Sequence, residues 1–211
     1  MSDLILALDL TDAKKAVDLA KKTAPFLDAI KVGYPLILAA GLAVVDDLLA
    51  CGLPIIADFK VADIPNTNYL IAEQVFKSGI FGIICHGFTG SDSITACVDV
   101  AHDAGGECYV VCEMSHLGAE EFFHHGTAER IAALATGCGA DGIIAPATRP
   151  ERTQMLREII GSKKILSPGV GAQGGDAASI SAFVDGIIIG RGIYEAEDPK
   201  AAAARYAMAC R

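Results

Sequence analysis

A short apolar run returns about every 25 residues along this chain, a spacing that suits repeated strand–helix units. The runs cover residues 4–9, 28–33, 54–59, 80–86, 107–113, 140–146, 164–169 and 184–190. Each is shorter than an ordinary helix and rich in the branched residues that favour strands. Strands that are apolar almost throughout belong to a parallel sheet covered on both faces.

Helical patterns fill the gaps. Ala13, Ala16, Val17 and Ala20 form one apolar stripe, with Lys14, Lys15, Lys21 and Lys22 outside it and Thr11 as the expected N-cap. Val45, Leu48 and Leu49 form another, closed by Gly52 at the expected C′ position. Pro65 suits the first turn of a third helix, with Leu70, Val75 and Phe76 as its expected inner face. Eight strands alternating with helices predict an α/β fold, a closed (β/α)8 TIM barrel occupying residues 1–211 as a single domain. An open doubly wound sheet is the second reading, since periodicity alone does not separate the two.

In such a barrel, function sits at the C-terminal ends of the strands. Here those ends carry Asp9, Lys31, Asp58 with Lys60, His86, Ser115, Pro168, and Gly190 with Arg191. The strongest signal is D-F-K-V-A-D-I-P-N-T at residues 58–67. Side chains of a strand alternate faces, so Asp58 and Lys60 point the same way. Charges at the end of a buried strand are costly unless paired, which suits a site that stabilises charge away from water. The plain alternative is a structural ion pair, with Asp63 capping the helix that starts near Pro65. Convergence of the other polar strand ends favours the active site. Asp9 and Lys31, taken singly, read as surface charges. Lys31 also discriminates: a carboxylate there, near Asp58, would help bind Mg²⁺, whereas an ammonium repels a cation.

Residues 169–174 read G-V-G-A-Q-G. As a dinucleotide fingerprint this is weak so late in the chain. Backbone N–H groups of a Gly-rich turn still favour an anion, and Gly190-Arg191-Gly192 follows one strand later, as in the phosphate site of barrel strands seven and eight. His86 reads as an acid or base, or equally as a packed histidine. His124 and His125 read as solvated, Ser115 as a substrate hydrogen-bonding group or helix cap, and Cys108 and Cys112 as small core residues.

The net charge of −9 argues against non-specific binding to nucleic acid or to an anionic membrane, yet allows a small anion in a locally basic pocket. No apolar run approaches the ~20 residues that span a bilayer. No basic region precedes an apolar one at the start, so no signal peptide is expected. Seven cysteines without a C-x-x-C pair read as reduced thiols of a cytoplasmic protein.

The segment from Asp58 to Thr67 resembles the D-x-K-x-x-D signature of the orotidine 5′-phosphate decarboxylase family. Leu6-Ala7-Leu8-Asp9, Ile30-Lys31-Val32-Gly33, His86-Gly87-Phe88, Glu113-Met114-Ser115-His116, the stretch from Ser167 to Asp176, and the stretch from Ile189 to Tyr194 are similar to it as well. They occur in family order over nearly the whole chain, and the compact length resembles the archaeal-type branch. The resemblance implies decarboxylation of orotidine 5′-monophosphate to UMP without metal or organic cofactor. It implies Lys60, Asp58, Asp63 and Lys31 as catalytic residues. Asp9, Lys31, Ile64, Thr67, Ser115, Pro168, Gln173, Gly190 and Arg191 become the substrate-binding set. It further implies a homodimer with shared sites, in which Asp63, Ile64 and Thr67 enter the neighbouring subunit's site.

Rival readings are a Mg²⁺-dependent 3-keto-gulonate 6-phosphate decarboxylase or hexulose phosphate synthase, and a non-catalytic nucleotide-binding barrel. The first two share D-x-K-x-x-D but carry Glu in place of Lys31. The third does not call for an ammonium caged by carboxylates.

Overall fold

The computed structural model describes residues 2–171 and 173–210. Ala172, inside the Gly-rich motif, lies outside the described residues. The strands are β1 (Asp3–Leu8), β2 (Ala29–Gly33), β3 (Ile55–Val61), β4 (Gly82–His86), β5 (Glu107–Val111), β6 (Gly142–Ile144), β7 (Lys164–Pro168) and β8 (Gly186–Ile189). All neighbours pair in parallel, in chain order, and β8 pairs with β1 to close the barrel. The closed reading therefore holds and the open sheet does not.

Alternation along each strand divides the core into two layers. Ile5, Ala7, Ala29, Ile56, Ile84, Tyr109, Val111, Ile144, Leu166 and Ile188 fill the barrel interior. Their sequence neighbours, such as Leu4, Leu6, Ile55, Ile83 and Ile187, pack outward against the helices. Lys31 therefore shares a face with Ala29, and Asp58 with Ile56. Both charges stand above an apolar barrel interior rather than on the outer surface.

Local corrections follow from cap chemistry and polar burial. Asp12, not Thr11, caps helix Ala13–Thr23, its carboxylate accepting the Lys15 N–H. Gly52 does adopt a left-handed φ of 73°, but helix Val44–Leu49 ends with Ala50 at the cap, so Gly52 falls one residue beyond the expected position. In helix Pro65–Lys77 the buried face is Asn68, Ala72 and Val75, and Leu70 is 51% exposed. Asn68 takes the inward place because it has buried polar work. Its side chain accepts the Asp63 N–H and donates to the Ser93 carbonyl. The seven cysteines are free thiols. Cys108 and Cys112 are fully buried, as expected. The Cys85 and Cys108 sulfurs stand 3.8 Å apart, well beyond the ~2.05 Å of a disulfide. Among the described residues, no helix is long and apolar enough to cross a membrane.

Candidate active site

At the C-terminal mouth of the barrel lies a cavity of about 350 Å³. Asp9, Lys31, Asp58, Lys60, Ser115, Pro168, Gln173, Gly190 and Arg191 all line it. The convergence expected from the strand ends is thus present for all of them but His86. Asp9 leaves β1 and lies over Gly33, where a Cβ would stand 3.1 Å from its Oδ1. A side chain at position 33 would therefore crowd the Asp9 carboxylate.

The charged centre is compact. Asp58 accepts from Lys31 Nζ at 2.5 Å through Oδ2 and from Lys60 Nζ at 2.6 Å through Oδ1. The Lys31 side chain is only 7% exposed, that of Asp58 12% and that of Lys60 36%. Burial pushes the Asp58 carboxyl up, but the Lys31 and Lys60 ammoniums, each also hydrogen-bonded to it, outweigh burial and hold it below the usual carboxylate range. Two ammoniums and one carboxylate leave this array with a net positive charge facing the cavity.

Lys60 reaches that position through an irregular backbone. The β3–β4 register shifts between Ala57 and Val61, and Lys60 has φ +45°. The left-handed region costs an L-residue about 1–2 kcal/mol. Such strain at a charged residue in a cleft makes Lys60 a candidate functional residue.

Asp63, Ile64 and Thr67 are not among the residues lining this cavity. Asp63 and Ile64 line a separate surface depression with Phe88 and Ser93, and Ile64 is 64% exposed. The Asp63 carboxylate accepts the Ile64 N–H at 2.7 Å. It does not act as the N-cap of the following helix, whose cap residue is Ile64.

His86 ends β4 and packs against Phe88 and Phe123, with ring centroids 4.8 and 6.4 Å away. Burial, aided by the Lys60 charge and opposed by Asp58, lowers its pKa to about 4. It is a packed neutral imidazole, and it does not line the cavity. An unfolded chain takes up its proton near pH 6.5, so between about 6.5 and 4 the unfolded state binds more protons than the folded one. His86 thus costs stability progressively as pH falls through that window. Replacing it with phenylalanine is expected to flatten the fall in Tm between pH 6.5 and 4, read by thermal melts of both proteins.

Sequence reasoning missed Glu113. It is fully buried and ion-paired with Arg152 Nε and with Arg149 Nη1 at 3.5 Å. His124, expected in solvent, has a side chain only 25% exposed, with Nε2 3.4 Å from Glu113 Oε1. Arg149 also donates to the Met114 and His116 carbonyls, so this cluster braces the segment that carries Ser115. The available signal was a carboxylate closing the fifth apolar run, two residues before a predicted site residue.

The turn after β7 carries Gln173. Gly171 N donates to the Gly175 carbonyl, and Gly175 N to the Gly169 carbonyl. Gly169 and Gly171 hold φ of 107° and 75°, which only glycine adopts freely. This turn and Arg191 line the same cavity.

Comparison with known proteins agrees with the geometry. The model of the orotidine 5′-phosphate decarboxylase / HUMPS family matches residues 2–206. The orotidine 5′-phosphate decarboxylase of Methanosarcina mazei is 56% identical over 206 residues, covering 97% of this chain and 93% of that protein. That of Methanococcoides burtonii is 55% identical over 202 residues, covering 95% and 93%. The crystal structure of the Methanocaldococcus jannaschii orotidine 5′-monophosphate decarboxylase, complexed with the inhibitor BMP, superimposes with a TM-score of 0.95 at 41% identity. It covers 100% of this chain and 99% of that one. The fold, the charged array at its mouth and these matches together place the chain in the orotidine 5′-phosphate decarboxylase / HUMPS family.

Proposed function

We propose that this chain decarboxylates orotidine 5′-monophosphate to UMP and CO2, the last step of de novo pyrimidine nucleotide synthesis, using neither a metal nor an organic cofactor. The observation that carries this reading is the Lys31–Asp58–Lys60 array above the barrel interior. When the C6–carboxylate bond breaks, its electron pair stays on C6, where no π system takes it up. Lys60 opposes that charge with its ammonium and then gives C6 a proton, which solvent later restores. Asp58 aims the Lys60 ammonium through its hydrogen bond, and it places negative charge beside the carboxylate that leaves. Asp9, Lys31, Ser115 and Pro168 line the cavity that would take the nucleoside part of the substrate, and Gln173, Gly190 and Arg191 the 5′-phosphate.

Turnover followed by loss of substrate absorbance tests the proposal. Activity is expected to survive exhaustive chelation, because Lys31 occupies the place where a cation would need a carboxylate. Activity lost in EDTA and restored by Mg²⁺ would move the chain to the sugar-phosphate branch of the same family. Tight nucleotide binding without turnover would make it a binding protein.

The working form is proposed to be a cytoplasmic homodimer. Exposure of Asp63 and Ile64 outside their own chain's cavity supports their entry into a partner's site, with Thr67 beside them. The Asp63 of a partner would also balance the net positive charge of the array. Mixing Lys60→Ala and Asp63→Ala proteins tests this. Random exchange makes half the dimers hybrid, each with one intact site, so activity is expected to return to about a quarter of the wild-type value. Demonstrated exchange with no returning activity would sink the shared site.

A further inference from the structure

Gly171 lies in the turn after β7, and Gly192 directly follows Arg191. These are the two segments that supply the proposed phosphate ligands. They share a neighbour from elsewhere in the chain. A Cβ on Gly171 would stand 2.8 Å from Tyr206 Oη, and a Cβ on Gly192 only 2.6 Å from the same atom. Tyr206 belongs to the C-terminal helix Pro199–Cys210, and its half-buried ring packs against the main apolar core. The phenol tip therefore occupies room that two glycines, one from each segment, leave open by lacking side chains. Gly171 has a second reason to be glycine, its φ of 75°. Gly192 has no left-handed φ, so a larger residue is opposed there by contact alone.

We propose that Tyr206 is a positioning residue for the phosphate site. It sets the spacing of the two segments so that Gln173 and Arg191 address one anion. The inference rests on the phosphate assignment made above. Its physical basis is stiffness. A tyrosine ring anchored in a close-packed core has few torsions to yield, so its tip is a fixed spacer. A guanidinium that meets an anion through a planar fork is sensitive to small errors in placement. Without the spacer, each segment could still fold, but the two would no longer be held at one separation.

The test is a double-mutant cycle of Gly192→Ala and Tyr206→Phe, assayed on orotidine 5′-monophosphate and on orotidine, which lacks the phosphate, with Tm recorded for each protein. Gly192→Ala is expected to lower kcat/KM for the nucleotide about tenfold, within the range of coupling between touching residues. The nucleoside should lose no more than about twofold. Adding Tyr206→Phe removes the obstructing oxygen and should recover most of the nucleotide loss. Tyr206→Ala, which removes the spacer, should hurt the nucleotide selectively as well. Failure of the double variant to recover, or an equal loss on both substrates, would make Tyr206 a fold residue only. Arg191→Ala is run alongside. If it fails to separate the two substrates, the phosphate assignment itself falls. If it separates them and Gly192→Ala does not, only the role of Tyr206 falls.

Discussion

Lys60→Ala is expected to lower kcat by at least about 10⁴-fold, the product of a lost proton donor and a lost preorganised charge, each worth two or more orders of magnitude. The geometry makes the loss hard to compensate. Lys31, the other ammonium on Asp58, is tied to the second carboxylate oxygen and almost wholly buried. Its strand position is fixed by parallel pairing on both sides. His86 is no substitute acid, because it stays neutral down to about pH 4 and does not line the cavity. The fold should survive, since Asp58 keeps one ammonium partner and alanine retains the Cβ. Single-turnover kinetics, with circular dichroism as a check on folding, measure both. Near-normal kcat would mean that another group protonates C6.

Arg191→Ala should produce the second large effect, a fall in kcat/KM of about 2–5 kcal/mol, as for a lost charged contact, or roughly 30- to 5,000-fold. Arg191 lines the cavity together with Gln173 and stands between glycines in sequence. The phosphate it is proposed to hold is remote from C6. Binding energy gained there can still appear in kcat, when it holds the site closed around Lys60. The loss should therefore shrink sharply for orotidine, which has no phosphate to lose. Equal losses on both substrates would reassign Arg191 to the base pocket or to folding.

The strands and the mouth were legible because both follow from periodic patterns. Residues 107–113 read as a strand ending in charge, and β5 is Glu107–Val111 with Glu113 just beyond. Burial on two faces forces an apolar run, and a polar residue directly after it marks the end. The Glu113 cluster was not legible, because its partners lie 36 and 39 residues away in sequence. No local period encodes such a pairing. Leu70 was placed inward because hydrophobicity was the only criterion applied, whereas Asn68 wins the buried face through two hydrogen bonds. Asp63 belongs to the charge pattern of residues 58–67, but its proposed placement in a partner's site, like that of Ile64 and Thr67, was not readable from patterning. Among the described residues no cavity joins them to Lys60, so only the family resemblance pointed to a shared site.

The left-handed backbone at Lys60 makes position 60 a point where folding and chemistry pull in opposite directions. Glycine would rest there without strain, and every residue with a Cβ bears the steric cost. A search for heat-resistant variants that scored folding alone would therefore be drawn toward glycine at this position and, on the role proposed for Lys60, would discard the proton donor in doing so. That role gives a reason for a lysine to bear the strain. Libraries built to stabilise this barrel should hold residue 60 constant and look for their gains among the helices.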